Sequence, residues 1–79
     1  MPTLTIDIAA DDSLEYTTHI HDLTADLSVT AVDTGGRQGG GNIETTFTGS
    51  RQELTVVATR YAGVDPGDGV PFYTDMIKD

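Results

Sequence analysis

From Thr3 to Thr48 the apolar residues of the chain recur at alternate positions, and beyond Gly49 they recur at intervals of three and four. A period of two marks a strand with one face in a core, and a period near 3.6 marks a helix with one buried stripe. The switch divides the chain into a sheet-forming portion and a helix laid over it. Leu4, Ile6 and Ile8 alternate with Thr3, Thr5 and Asp7 as a first strand. Residues 9–13 read as a turn, and Leu14, Tyr16, Thr18 and Ile20 against Glu15, Thr17, His19 and His21 give a second strand, paired with the first as a hairpin. Leu27, Val29 and Ala31 against Ser28, Thr30 and Val32 form a third, reached through residues 22–26, a loop or one helical turn. Residues 35–41 hold too many glycines for regular structure, because each loses much backbone freedom on ordering and offers nothing to pack, so they read as a flexible hairpin tip. Strand four covers Asn42–Thr48, with Ile43, Thr45 and Phe47 on one side and Glu44, Thr46 and Thr48 on the other.

Ser50 and Glu53 then stand at the spacing of a capping box, in which each side chain bonds an orphan backbone N–H of the other at a helix start. The pattern predicts a helix over residues 51–62, with Leu54, Val57, Ala58, Tyr61 and Ala62 on its buried face and Gly63 as a left-handed cap. Arg60 falls where a cation complements the negative end of that helix. Val56, Val57 and the threonines lower its intrinsic propensity, so packing must hold it. Residues 65–69 form a turn, residues 70–74 a short edge strand on which Pro71 is tolerable, and residues 75–79 a loose tail. The assembled expectation is an α+β domain, an antiparallel four- to five-stranded sheet with one helix packed on one face, in the order β-β-β-β-α(-β). Its open face would carry Thr3, Thr5, Asp7, Glu15, Thr17, His19, His21, Ser28, Thr30, Glu44, Thr46 and Thr48, with no basic residue.

Charge is the strongest pointer to function. Asp7, Asp11, Asp12, Glu15, Asp22, Asp26 and Asp33 all precede the first base, Arg37, and the later residues hold six acids against four bases, for a net −9. Net charge acts on partners and solubility more than on fold. A surface of this sign repels nucleic-acid phosphates and anionic lipid, which leaves basic protein surfaces as the attractive partners. The 79 residues suffice for one domain with a modest core, and with no Cys there is no disulfide, thiol nucleophile or Cys-ligated metal to supplement it. The opening residues lack a basic segment followed by an apolar one, and no apolar run approaches a membrane span, so the chain reads as cytoplasmic.

The possible chemical motifs are incomplete. His19 and His21 on one strand face would stand about 6.5–7 Å apart, within reach of one divalent ion if a carboxylate such as Glu15, Asp22 or Glu44 joined them. No third His exists to complete a catalytic zinc site. Asp65 and Asp68 flank a glycine as in a calcium loop, without the remaining ligands. The glycines of residues 35–41 lack the Lys-Ser/Thr ending of a phosphate-binding loop. Glu15 and Glu44 on one face form the one conceivable carboxylate pair, with no pocket implied. The reading is therefore of a non-enzymatic protein that needs no cofactor.

In size, acidity and lack of an enzymatic motif the chain resembles, as a class, the small phage-encoded inhibitors of host defence, anti-CRISPR proteins in particular. The resemblance extends over the whole chain and includes no shared motif. It implies a protein that blocks the basic nucleic-acid-binding surface of a protein or complex, such as a CRISPR surveillance complex, through acids such as Asp7, Asp11, Asp12, Glu15, Asp22 and Asp26. Asp33 and Glu44 are further expected contact residues, and the chain is expected to be a monomer or homodimer. The alternatives are a halophile's domain or a structural and assembly protein whose acidity is adaptive, and a His/carboxylate metal-binding module.

Overall fold

The computed structural model describes residues 1–38, 42–64 and 73–79, and the backbone alone of residues 34–38 and 64. The elements run β1 (Thr3–Ala9), α1 (Ser13–Thr24), β2 (Thr30–Gln38), β3 (Asn42–Thr48) and α2 (Arg51–Val64). The sheet has the order β1-β3-β2 and is antiparallel at both seams. β1 and β2 consequently run in the same direction, with α1 as their crossover and β3 inserted between them, a split β-α-β unit. The described residues form a small α+β fold of three strands and two helices, instead of the four to five strands and one helix expected.

The principal correction concerns residues 14–21, which form most of α1 and not a strand. Asp12 is its N-cap: the Asp12 carboxylate accepts the Glu15 N–H at 2.7 Å, and the Glu15 carboxylate reaches back to accept the Asp11 N–H at 2.8 Å. The first satisfies a donor that the helix start would otherwise leave orphaned, and the second ties the residue before the cap to the first turn. Tyr16, Ile20 and Leu23, spaced by four and three, turn toward the core, while Leu14 points outward and is 77% exposed. The alternation of Leu14, Tyr16, Thr18 and Ile20 is thus a coincidence of composition. With α1 a helix, β1 finds its partner in β3, through Leu4↔Phe47, Ile6↔Thr45 and Ile8↔Ile43.

α1 ends in a turn over residues 24–27. The Leu27 N–H donates to the Thr24 carbonyl at 3.0 Å, Ala25 lies at φ −56 and ψ 130, and Asp26 has φ 64. These are the marks of a type II turn, whose third residue must be left-handed. β2 begins at Thr30, later than expected, while Leu27 and Val29 pack half-buried against the core in the lead-in. Of residues 35–41, expected as a flexible tip, residues 35–38 continue β2 and residues 39–41 lie outside the described residues. The β2 register slips between Asp33, opposite Thr45, and Arg37, opposite Ile43. β3 has the expected bounds and the expected two sides.

α2 starts where the sequence predicts, the Ser50 hydroxyl accepting the Glu53 N–H at 3.1 Å. The Glu53 carboxylate takes both the Ser50 hydroxyl, at 3.2 Å, and the Ser28 N–H, at 2.8 Å, tying the loop before β2 to the helix start. Gly63 lies within α2 without a left-handed φ, so it is not the expected cap. Arg60 does not serve its own helix either. Its Nη1 donates to the carbonyls of Ala25 at 2.9 Å, Leu23 at 3.2 Å and Asp22 at 3.5 Å, and so closes the C-terminal end of α1.

Both helices cover one side of the sheet. Leu4, Ile6, Ile8 and Phe47 meet Leu23 of α1 and Leu54, Val57, Ala58, Tyr61 and Ala62 of α2. Among the described residues Thr45 is the one buried polar residue of this layer, and its hydroxyl meets Tyr16 Oη at 2.7 Å while donating to the Ile43 carbonyl at 3.3 Å. The expected tail at residues 75–79 is docked and not loose. Ile77 is buried, Lys78 exchanges two backbone hydrogen bonds with Thr3 at 2.7 and 2.8 Å, and the Asp79 side chain pairs with Arg51 at 3.0 Å. Tyr73 packs edge-to-face on Tyr61 with centroids 5.2 Å apart. Residues 65–72 lie outside the described residues, so the turn expected at 65–69 and most of the edge strand expected at 70–74 fall there. Residues 73–77 form a turn closed by Met76 N–H to Tyr73 O and Ile77 N–H to Thr74 O.

Candidate functional site: two acidic surfaces on opposite layers

The helical nature of α1 splits the single acidic surface expected on the sheet. The uncovered sheet face carries Thr3, Thr5 and Asp7 of β1, Glu44, Thr46 and Thr48 of β3, and Thr30 and Val32 of β2. Thr5 and Thr46 share a hydroxyl–hydroxyl bond of 2.9 Å across the seam, and Asp7 stands directly opposite Glu44. Like charges in that position repel, so this pair adds nothing to sheet stability. The docked C-terminal segment borders the face and forms with it a groove of about 430 Å³ lined by Thr3, Thr5, Asp7, Glu44, Asp75, Met76 and Lys78. The face was expected to lack basic residues, and Lys78 at its rim corrects that.

Glu15, Thr17, His19 and His21 are not on this face. They belong to α1, on the far side of the sheet, where Asp11, Asp12 and Glu15 surround the first turn, Asp22 lies in the last and Asp26 in the turn beyond. Glu15 and Asp22 are seven residues apart and so share one side of the helix, about 10 Å apart along its axis. Asp11, Asp12, Glu15, Asp22 and Asp26 are all exposed. No Lys or Arg occurs in α1 or anywhere before residue 37. The remaining predicted contact residue, Asp33, lies on β2 with the parity of Thr45, exposed toward the α1 side of the sheet's far edge.

Two chemical expectations lose their geometry. Glu15 and Glu44 sit on opposite sides of the sheet and cannot act as a carboxylate pair. His19 and His21, two apart on a helix, diverge by about 200° instead of sharing a strand face. The His21 ring lies 3.9 Å from the Asp22 carboxylate, and both side chains are largely exposed. Among the described residues, no group of three or more His, Cys, Asp or Glu is arranged to hold a metal ion. Asp65 and Asp68 lie outside the described residues.

Of the described cations, Arg60 sits at the C-terminal end of α1, donating to the carbonyls of Asp22, Leu23 and Ala25, whereas Arg51 pairs with Asp79 and Lys78 borders the sheet groove. Sequence reasoning did not anticipate the role of Asp75 and Lys78 in the groove or the exposure of Leu14. The first depends on tertiary docking of the C-terminal segment. The second has a local signal in Asp12 and Glu15, which set the helix phase. No described helix is long and apolar enough to cross a membrane. The chain matches no protein-family model, no curated protein and no solved structure.

Proposed function

We propose that this chain is a non-enzymatic acidic inhibitor that binds another protein and blocks its basic nucleic-acid-binding surface, in the manner of a phage-encoded anti-CRISPR protein or nucleic-acid mimic. The observation that supports the reading is the gathering of exposed Asp11, Asp12, Glu15, Asp22 and Asp26 on and beside α1, a helix with no Lys or Arg in its own sequence and with Arg60 bonded to the backbone at its C-terminal end. Spaced carboxylates on a rigid element offer a basic groove what phosphates offer it, and such complementarity governs association rate and register. A crRNA-guided surveillance complex, titrated with the protein at low salt in competition with target DNA, tests it. Binding should weaken as salt rises, since exposed charges are screened beyond about 8 Å at physiological ionic strength. The triple variant Asp11→Asn, Asp22→Asn, Asp26→Asn leaves the helix cap intact and should lose binding. Association that this variant leaves untouched removes the mimic reading.

A second reading is favoured by Asp7, Glu44 and Asp75 lying on the opposite layer from α1. Acidity spread over both sides suits a halophile's domain. Thermal melts in dilute buffer and in multimolar KCl separate the two: a halophilic domain unfolds without salt, and an inhibitor of the first kind does not.

A further inference from the structure

α1 has one feature that its packing does not require. Tyr16, Ile20 and Leu23 hold the helix against the core, whereas Leu14, in the first turn, is 77% exposed. Leu14 lines an open depression of about 430 Å³ with Asp12, Glu15, Thr18 and His19. Among the described residues the other large apolar side chains left exposed are Met1 and Val32, and neither belongs to α1.

We propose that Leu14 is the apolar anchor of the inhibitory contact, and that the occupant of this helix face is a basic amphipathic segment of the partner protein, with arginines or lysines set around an apolar patch. The proposal rests on the acidic-inhibitor reading and gives it a centre. Charge complementarity names the occupant, because Asp12 and Glu15 share the depression with Leu14, Asp11 adjoins them in the chain, and no base precedes Arg37. Complementary charge acts mainly on rate and orientation, whereas affinity concentrates in a few residues fully desolvated at the centre of a contact, and an exposed leucine that loses its water there adds apolar burial to the charge. The carboxylates beside Leu14 are already held: Asp12 by the Glu15 N–H at 2.7 Å and Glu15 by the Asp11 N–H at 2.8 Å. A partner would not have to order them, which lowers the entropic cost of association. Nucleic acid does not fit, since its phosphates carry the same sign as this surface.

The test uses the full chain and two fluorescein-labelled helical peptides with identical arginine faces, one centred on leucine and the other on serine, with binding followed by anisotropy at low salt. The leucine peptide should bind, and the serine peptide should bind about tenfold more weakly. Leu14→Ala should lose a similar factor toward the leucine peptide, with an unchanged melting temperature. Val32→Ala, an exposed apolar truncation on the other layer, should lose nothing. Equal binding of the two peptides, or an affinity that Leu14→Ala leaves unchanged, overturns the anchor while leaving a charge-only inhibitor standing. An equal loss in Val32→Ala overturns the location. Absence of binding by either peptide at low salt removes the anchor and counts against the inhibitor reading itself.

Discussion

Replacing Arg60 by methionine should cost this fold about 2 kcal/mol, although the side chain contributes nothing to its own helix end. The guanidinium donates from one nitrogen, Nη1, to the carbonyls of Ala25, Leu23 and Asp22 at 2.9, 3.2 and 3.5 Å. That nitrogen has two hydrogens, so the two shorter contacts carry the interaction. Hydrogen bonds to charged groups contribute about 1.5–3 kcal/mol each, but here water can reach the freed carbonyls, and the two bonds share one donor, so the lower figure applies to the pair. Loss of a cation from a helix C-terminus adds about 0.3–1 kcal/mol. Methionine keeps an apolar stem, so little of the cost is lost packing. For a domain this small the total corresponds to a fall in melting temperature of about 8–16 °C. Circular dichroism melts read the sum, and native-state hydrogen exchange reads its location: amides near the end of α1, including that of Leu27, should lose protection before those of β3. Arg60→Lys, a single-point donor, should recover roughly half. A methionine variant within about 0.5 kcal/mol of the parent, the range of an ordinary surface substitution, would refute the capping role.

Asp26 at φ 64 gives a second test, since a left-handed conformation costs most L residues about 1–2 kcal/mol and glycine almost nothing. Asp26→Gly should match or slightly exceed the parent in a denaturant titration and Asp26→Val should fall below it, and equal stability of the two would contradict the turn geometry. Gly49 is buried, and a Cβ there would stand 2.9 Å from Cγ2 of Val29, so Gly49→Ala should cost about 1–3 kcal/mol by overpacking, measured as a lowered denaturation midpoint. Thr45→Val should cost about 1 kcal/mol by stranding the Tyr16 hydroxyl, and adding Tyr16→Phe should restore most of that loss. A double-mutant cycle in which the two changes simply add would show that the hydroxyls do not interact.

The sequence discloses most where the signal is local. Strand β3 and the start of α2 follow from the alternation around Phe47 and from the Ser50–Glu53 spacing, both complete within a few residues. The Asp12–Glu15 spacing carries the same kind of information for α1, but Leu14, Tyr16, Thr18 and Ile20 satisfy a strand period equally well. Tyr16 and Ile20 are compatible with both periods, and the helix becomes distinct only with Leu23. What no local pattern contains is a contact across the fold: Arg60 reaching the end of another helix, Glu53 holding the Ser28 amide, and Lys78 bonded to Thr3. Of the expected contact residues, Asp7, Asp11, Asp12, Glu15, Asp22, Asp26 and Asp33 are exposed and Glu44 is half-buried, and their grouping depends on α1. Reading it as a strand put Glu15 beside Glu44, and the helix carries it to the opposite layer.

The pairing of Thr3 with Lys78 also bears on the order in which the chain can fold during synthesis. β1 leaves the ribosome before the other described elements, but its ladder partner β3 is separated from it by α1 and β2, and among the described residues the bridge on its outer edge, Thr3 with Lys78, joins it to the far end of the described chain. Contacts of such long sequence separation pay their loop-closure entropy before they return anything, so they form late. Until then Leu4, Ile6 and Ile8 form an uncovered apolar strand with both edges open, the kind of segment that pairs with other chains. Truncating the chain before Tyr73 should therefore show itself as aggregation of nascent or newly released protein, before any change in what the protein binds.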